Sequence, residues 1–581
     1  GCPIAGVCRE ELFDVTPYAK ATAWFLIGHP DCQDFGRKFK IAFSGCKTDA
    51  CALVRMHDLG AIAAVRDGKR GFELYVGGGL GTVPHQAKLF TEFLPAEELL
   101  PTAQAIARLF ARLGEKKNRN TARIKFLVTK LGIDEFRRLV LEERATLEPD
   151  PRWTDFLAAV PDYKEQPLKP PSLLQIQPAI EGFDPWRQSN VYRQRQPGYA
   201  TVTVALPLGD LTAVQMRNLA ALSRRYVNDT LRTTVEQNLV LRWVSEADLP
   251  DLYRDLAAIG LAEPGAGSIV DITACPGTDT CKLGISSSRG LAGELRMRLA
   301  ERAMEMDAAV RGLHIKISGC FNSCGQHHVA DLGFYGVSRN KGGYTVPHFQ
   351  VVLGGQWTEN AGAYGLAIGA VPSKRIPEAV DRITSRYLSG RRDDESFHDF
   401  VTRIGKAESK RMIEDLTSIP AHDEDRSFYV DWSDAREYTL GDLGVGECAG
   451  EVVSPIDFQL VACEREAFEA QLQLESGDAA SAARTAYGAM LHGAEALLAI
   501  RPGRAPLGAD AVVDAFRVHF HDTQLFFDPF AGAKFAQYFF HAHERRESEY
   551  NAESAHHLIE EAQLFIEAAH SCYGRMAAVP A

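Results

Sequence analysis

The chain has 581 residues, 45% apolar and 24% charged, the mix of an ordinary globular protein, and at about 150 residues per domain it should fold as three or four packed units. No apolar run approaches the roughly 18 residues that a membrane-spanning helix needs. A net charge of −12 disfavours non-specific binding to nucleic acid or anionic lipid, so an acidic partner must meet a local basic patch.

The chain opens on GCPIAGVC, with Cys2 and Cys8, and shows neither a basic stretch followed by an apolar core nor a small-residue cleavage site. GRKFKIAFSG follows and reads as a strand in which Lys38 and Lys40 project on one face and Arg37 on the other. Cys46 and Cys51 come next, then VGGGLG with Gly77, Gly78 and Gly79. That loop taken alone resembles a dinucleotide site, but it lacks GxGxxG spacing and the acidic residue such a site needs. EKKNR, from Glu115 to Arg119, is a candidate basic patch and reads more simply as a solvated helix end. Residues 1–147 form the first large segment, and the prolines of residues 148–175 mark a linker or an extended arm.

Residues 176–262 read as a compact α+β unit: a strand in YATVTV, a helix in LTAVQMRNLAALSRRY, a strand in LRTTVEQNLVLRWV and a helix in EADLPDLYRDLAAIGL. Alternation in LRTTVEQN puts Arg232 and Thr234 together, with Gln237 and Asn238 close behind. Residues 263–425 carry four closely placed cysteines. Residues 426–460 read as a connecting loop around Cys448, a lone thiol among glycines. Residues 461–581 have Ala, Leu and Phe at helical spacing and predict a separate all-α bundle, in which His519, His521, His541 and His543 lie near aromatics and read as packing.

The two large segments repeat one another. CPIAGVC matches CPGTDTC, FSGCKTDACALVRMHDLG matches ISGCFNSCGQHHVADLG with one residue more between its cysteines, and LYVGGGLG matches VVLGGQW, all in the same order. The expectation is a duplicated α+β architecture with a pseudo-two-fold relation between halves.

Cys275 and Cys281 are separated by five residues, Cys320 and Cys324 by three. Four thiolates so placed suit an iron–sulfur cluster or another metal site. Zinc pairs usually stand two to four residues apart, disulfides fit poorly where twelve cysteines cluster with Gly, Asn and His in a chain of reducing character, and unrelated structural thiols remain a third reading.

TACPGTDTCKLG and GCFNSCGQ, with GRKFKIAFSG and VGGGLG, resemble the sirohaem-containing nitrite and sulfite reductases over residues 1 to about 410. The resemblance implies a [4Fe-4S] cluster on Cys275, Cys281, Cys320 and Cys324, with Cys324 also the axial ligand of a sirohaem iron. It implies substrate binding and proton supply by Lys38 and Lys40, sirohaem carboxylates on Arg37, and a sirohaem lining of Gly78, Gly79, Arg232, Thr234, Gln237 and Asn238, with Asn322 approaching the cofactors. His327 and His328 read as local hydrogen-bonders.

Relatives carry a further segment upstream with two arginines of the anion site, so the chain as given looks truncated at its start. Cys2, Cys8, Cys46 and Cys51 repeat the cluster positions, but the wider spacing of Cys46 and Cys51 and the family's use of one half for cofactors favour a single cofactor site. The helical segment loosely resembles HEPN domains without an R-x4-6-H pair, which points to self-association or partner docking. The implied activity is six-electron reduction of sulfite to sulfide in the cytoplasm, with electrons from ferredoxin or another donor protein. Nitrite reduction by the same machinery, and a non-catalytic cofactor-holding role, are the alternatives.

Overall fold

The computed structural model describes all residues except 49–51, 119–120, 159, 161–162, 176–178, 229, 304, 440–454, 501–507, 529–530 and 578–581, and only the backbone at 455, 457–458, 461–462, 465 and 577. Cys51, Arg119 and Cys448 lie outside the described residues. The chain divides into two compact units, Gly1–Gly450 and Glu451–Ala581.

The first unit holds three sheets. One runs β1 (Ile41–Ser44), β2 (Leu59–Arg66), β3 (Lys69–Val76) and β4 (Lys88–Pro95), with β1 parallel to β2 and the rest antiparallel. The second is antiparallel, of β5 (Val191–Arg193), β6 (Tyr199–Val204), β7 (Leu231–Thr233) and β8 (Leu239–Ser245) in the order β5-β6-β8-β7. The third comprises β9 (Thr273–Ala274), β10 (Ile315–Ser318), β11 (Leu332–Lys341), β12 (Tyr344–Leu353) and β13 (Leu366–Pro372), with β9, β10 and β11 parallel and the remaining pairs antiparallel.

The first sheet repeats the plan of β10 to β13 in the third, with matching bonds at matching positions. Ile41 stands opposite Leu59 as Ile315 stands opposite Leu332. Cys2 N–H donates to Phe43 O at 3.2 Å and Cys275 N–H to Ile317 O at 3.1 Å. The Lys40 amide reaches Asp58 Oδ2 at 2.9 Å, and the His314 amide reaches Asp331 Oδ2 at 2.8 Å. Gly77 N–H caps Asp58 O at 2.9 Å and Gly354 N–H caps Asp331 O at 3.0 Å. Each copy has its own core, Phe72, Leu74, Leu109 and Phe136 in one and Ile317, Phe334, Val351 and Ile383 in the other. Leu53, Val329, Trp357 and Ala361 form an apolar seam between the copies, and Val235 of the second sheet's domain packs against it.

Two segments depart from expectation. LRTTVEQNLVLRWV is a hairpin, β7 and β8, rather than one strand: Thr234 Oγ1 accepts the N–H groups of Glu236 and Asn238, both at 3.2 Å, and Gln237 takes φ 68° to turn the chain. Arg37–Lys40 precedes β1 instead of lying in it, because β2 starts at Leu59 and offers no strand partner earlier. The helix of the second domain, Ala213–Tyr226, begins at the capping box of Thr212 and Gln215.

The arm holds one short helix, Arg152–Ala158, and is tied down by Glu165, discussed below. Residues 426–439, expected to belong to a connecting loop, instead pack on the third sheet's half: buried Asp431 accepts Ser287 N–H at 2.7 Å and Ser373 Oγ–H at 2.8 Å, and the Tyr438 hydroxyl donates to Ile285 O at 2.5 Å.

The second unit is helical where described, with helices Pro455–Glu475, Ala479–Leu498, Ala509–Phe516, Lys534–Glu544 and Ala552–Ala577, so it begins earlier than the sequence suggested. Alanines let the helices approach around Phe516, Phe539 and Phe565. His543 lies between the Tyr487 hydroxyl at 2.8 Å and Asp510 Oδ1 at 2.9 Å. His519 and His541 are exposed rather than packed.

Candidate active site

The loops of the third sheet bring the cysteines together by stacking backbone on backbone. Gly277 takes φ 55°, and a Cβ there would strike Ser288; Cβ atoms on Gly284 and Gly319 would stand 2.7 Å and 2.6 Å from Gly277. Gly319 N–H then points at Cys275 Sγ at 3.1 Å, and the amides of Ile285 and Ser286 donate to Gly319 O at 2.8 and 3.0 Å. Burial pushes the Cys320 thiol up in pKa, Asn322 works against this by hydrogen-bonding it through backbone and side chain, and Cys275 and Cys281 add to the rise. Cys275 and Cys281 therefore lie within electrostatic reach of Cys320. Cys324 is exposed and lies within electrostatic reach of Lys40.

Gln237 sets the position of the first loop: its Nε2 donates to Ala274 O at 2.9 Å and its Oε1 accepts Ala274 N–H at 3.1 Å. Buried Asn238 ties Asp271 (2.8 Å) to Leu206 N–H (2.8 Å). Thr234, Gln237 and Asn238 thus spend these bonds on protein groups. Arg232 donates to Glu165 Oε1 at 2.6 Å, and the same carboxylate meets Arg242 at 2.7 Å and Trp243 Nε1 at 3.0 Å. Burial opposes ionisation of Glu165, but these donors outweigh it and hold its pKa below the ordinary value.

Facing Cys324 is a cationic cleft. Lys38 and Lys40 are exposed and Arg37 is half-buried. Crowding by protein atoms, Arg123 and Lys38 lowers the Lys40 pKa, while Asp58 and Cys324 oppose the shift. Asp58 is fully buried and takes the Arg123 guanidinium on both oxygens at 2.8 Å; burial raises its pKa and Arg123 pulls it back. Lys125 donates to Leu80 O at 2.9 Å and Val83 O at 2.6 Å, and burial, then Arg123, lowers its pKa to about 8. His57 is driven to about 4 chiefly by burial, so it is neutral at pH 7. Arg123, Lys40 and Lys125 therefore gather around one carboxylate, with Lys38 beside Lys40 and Arg37 beside Lys125, in a chain of net charge −12.

Gly78 and Gly79 border this cleft for a reason unlike the one expected. A Cβ on Gly78 would lie 2.6 Å from Arg55 O and His57 O, and one on Gly79 would lie 2.8 Å from Lys125 Cδ. The close approach is the protein's own.

The family model described as "Nitrite and sulphite reductase 4Fe-4S domain" matches residues 1–148 and 265–420, the two copied halves, and "Nitrite/Sulfite reductase ferredoxin-like half domain" matches residues 192–259. The chain belongs to the nitrite and sulphite reductase family. It is 29% identical over 416 residues to "Sulfite reductase [ferredoxin] 1" of Mycolicibacterium paratuberculosis, covering 70% of this chain and 69% of that one. It is 28% identical over 401 residues to the chloroplastic ferredoxin–nitrite reductase of Zea mays, covering 67% and 65%. The solved structure of the Mycobacterium tuberculosis NirA protein aligns with TM-score 0.57 and 28% identity over 70% of each chain.

The family is one of oxidoreductases with sirohaem and a [4Fe-4S] cluster, and the residues present fit both groups. Four thiols suit a cubane, which spreads them over four irons, and the five residues between Cys275 and Cys281 exceed the two to four usual between the cysteines of a zinc pair. Surplus positive charge suits a macrocycle rich in carboxylates. Arg123, Lys125 and Asp58 escaped the sequence reading. The repeat offered a signal for Asp58, since HDLG matches ADLG; the other two lie more than sixty residues on, at the start of helix Ile124–Leu131, where the basic patch had been sought slightly too early in the chain.

Proposed function

We propose that this reductase converts sulfite to sulfide, with electrons from ferredoxin or another donor protein. The observation that carries the reading is the exposed Cys324 thiol within electrostatic reach of the cationic Lys40, while Cys275 and Cys281 lie within electrostatic reach of Cys320. In this reading the four cysteines would hold the [4Fe-4S] cluster, and Cys324 would also bind the sirohaem iron. When bound, the two cofactors deliver six electrons to the substrate's central atom. The protein's part is positional and electrostatic. Lys38 and Lys40 draw in the oxyanion and fix it by charge, and Lys40, its pKa already lowered by crowding and neighbouring cations, gives up protons more readily than an ordinary lysine. Arg37, Arg123 and Lys125 meet macrocycle carboxylates, Arg232, Gly78 and Gly79 flank them, and Asn322 steadies Cys320. Thr234, Gln237 and Asn238 act through the loops they hold.

Nitrite reduction to ammonia is the second reading, favoured by the likeness to the Zea mays enzyme. Among the described residues no helix is long and apolar enough to cross a membrane, and we place the protein in the cytoplasm, with the helical unit, HEPN-like in its sequence, serving self-association. Turnover of sulfite and nitrite side by side with a reduced viologen dye separates the two substrates. Anaerobically purified protein should carry about five irons per chain, four of the cluster and one of sirohaem. Protein that proved colourless and held only zinc would end both readings.

A further inference from the structure

Lys316 is fully buried and none of the roles above uses it. It stands in β10 between Ile315 and Ile317, whose side chains enter the core. Strand alternation sends Lys316 and Ser318 to the opposite face, onto which the Cys324 loop folds, since Gly325 N–H donates to Ser318 Oγ at 3.1 Å. Lys316 Nζ donates to Thr273 Oγ1 at 3.1 Å, two residues before Cys275, and to Gln326 Oε1 at 3.4 Å, two residues after Cys324. It also lies 3.9 Å from the centre of the Trp357 ring. One ammonium thereby ties both cysteine-bearing loops. Burial lowers its pKa to about 8, against the attraction of Glu236 and Asp271, so it is still mostly charged at neutral pH, and no carboxylate among the described residues forms an ion pair with it.

A buried ammonium without a close counter-ion is costly to desolvate, so stability alone would remove it. The duplication contains the comparison. Register aligns Ala42 with Lys316. Left-handed Leu53 (φ 48°) matches left-handed Gln326 (φ 64°), each just before a short helical turn, and Leu80 follows its glycines as Trp357 follows Gly354 and Gly355. Ala42 lies in a small apolar cluster with Val54 and Ile62. The half whose sheet carries the four cysteines has a cation with two polar partners; the other half has alanine and leucine at the matching positions.

We infer that Lys316 is the fixed positive charge that raises the electron affinity of the cluster held by Cys275, Cys281, Cys320 and Cys324, an inference that rests on the cofactor reading above. Net charge and hydrogen bonding around a cluster set its potential, and the added electron meets a cation already in place.

The test is redox potentiometry of the anaerobically purified holoprotein by EPR, with Lys316→Met and Lys316→Arg. At the wild-type midpoint, Lys316→Met should lower the reduced-to-oxidised ratio about tenfold, equivalent to about 59 mV for one electron, while Lys316→Arg should hold it within about twofold. A full cluster in Lys316→Met with an unmoved midpoint overturns the inference. If Lys316→Met sheds its iron, Lys316→Arg decides: a tenfold fall despite the retained charge refutes the argument, and a ratio near wild type supports it. Wild-type protein free of iron would instead refute the cofactor reading and this inference with it.

Discussion

Asp58→Asn tests whether the cationic cleft is held together by a single buried carboxylate. Asp58 accepts Arg123 Nε at 3.0 Å, Arg123 Nη2 at 2.8 Å on both oxygens, and the Lys40 amide at 2.9 Å. Asparagine keeps the size but offers one acceptor and turns an NH2 towards a donor, whichever way it flips. Arg123, 14% exposed, would be left without a counter-charge beside Lys40 and Lys125. Removing one partner of a buried pair costs about 3–5 kcal/mol, whereas an exposed pair would cost about 1 kcal/mol or less. Native-state hydrogen exchange at the β2 amides reads the opening of this half separately from the helical unit. The double variant Asp58→Asn/Arg123→Met, with no stranded charge, should recover at least half of the loss. A single variant costing under about 1 kcal/mol, or a double variant no better than the single, would refute the reasoning. Because Asp58 also raises the Lys40 pKa, its neutralisation should move the alkaline limb of turnover to lower pH; an unmoved limb would remove Lys40 as proton donor.

Lys125 has a folded-state pKa of about 8, below the ordinary value of about 10.4. Between these values the unfolded chain binds the proton more readily, so the cofactor-free protein should gain stability as pH rises through that window, by at most about 3 kcal/mol. The lysine's contribution is lost as pH falls through about 8, and Lys125→Met should flatten the trend in denaturation midpoints. Gln237→Leu leaves the Ala274 N–H and carbonyl without their side-chain partner, at about 1–3 kcal/mol, and chelator-driven iron loss should quicken about tenfold or more; an unchanged rate would show that the loop holds without it. Asp431→Ala removes the acceptor shared by Ser287 and Ser373, and limited proteolysis should then cut within residues 426–439; equal resistance in both proteins would count against the clamp.

What could be read from the sequence was whatever the backbone itself demands. CPGTDTC and SGC announce a cysteine site because Gly277, Gly284 and Gly319 must stack where no Cβ fits, and a glycine so constrained leaves its mark at a fixed distance from the thiols it positions. The duplicated sheets were visible for the same reason: their matching bonds run between main-chain atoms at matching positions. Side-chain convergence left no such mark. Arg123 and Lys125 become partners of Lys40 only through folding, and no local period records that meeting. Glu165 looked like one more polar residue of a proline-rich arm until the fold placed it on Arg232, Arg242 and Trp243. Lys38 and Lys40 were found through likeness to a family, and the strand assigned to them was wrong because a strand needs a neighbour and β2 begins too late to supply one.

The pseudo-symmetry also accounts for how one fold copy can serve two chemistries. At matching positions the first half has Lys40 where the second has His314, and both amides bind the same aspartate of the repeat, Asp58 or Asp331. The aspartate's free capacity differs. In the first half Arg123 fills it and leaves Lys40 facing the cleft; in the second His314 itself turns back to Asp331 at 3.3 Å and takes no part in a cationic cleft. Lys316 and Ala42 show the reverse allocation. Each half thus places a charged side chain, exposed Lys40 in one and buried Lys316 in the other, where its copy places a self-satisfied or apolar residue.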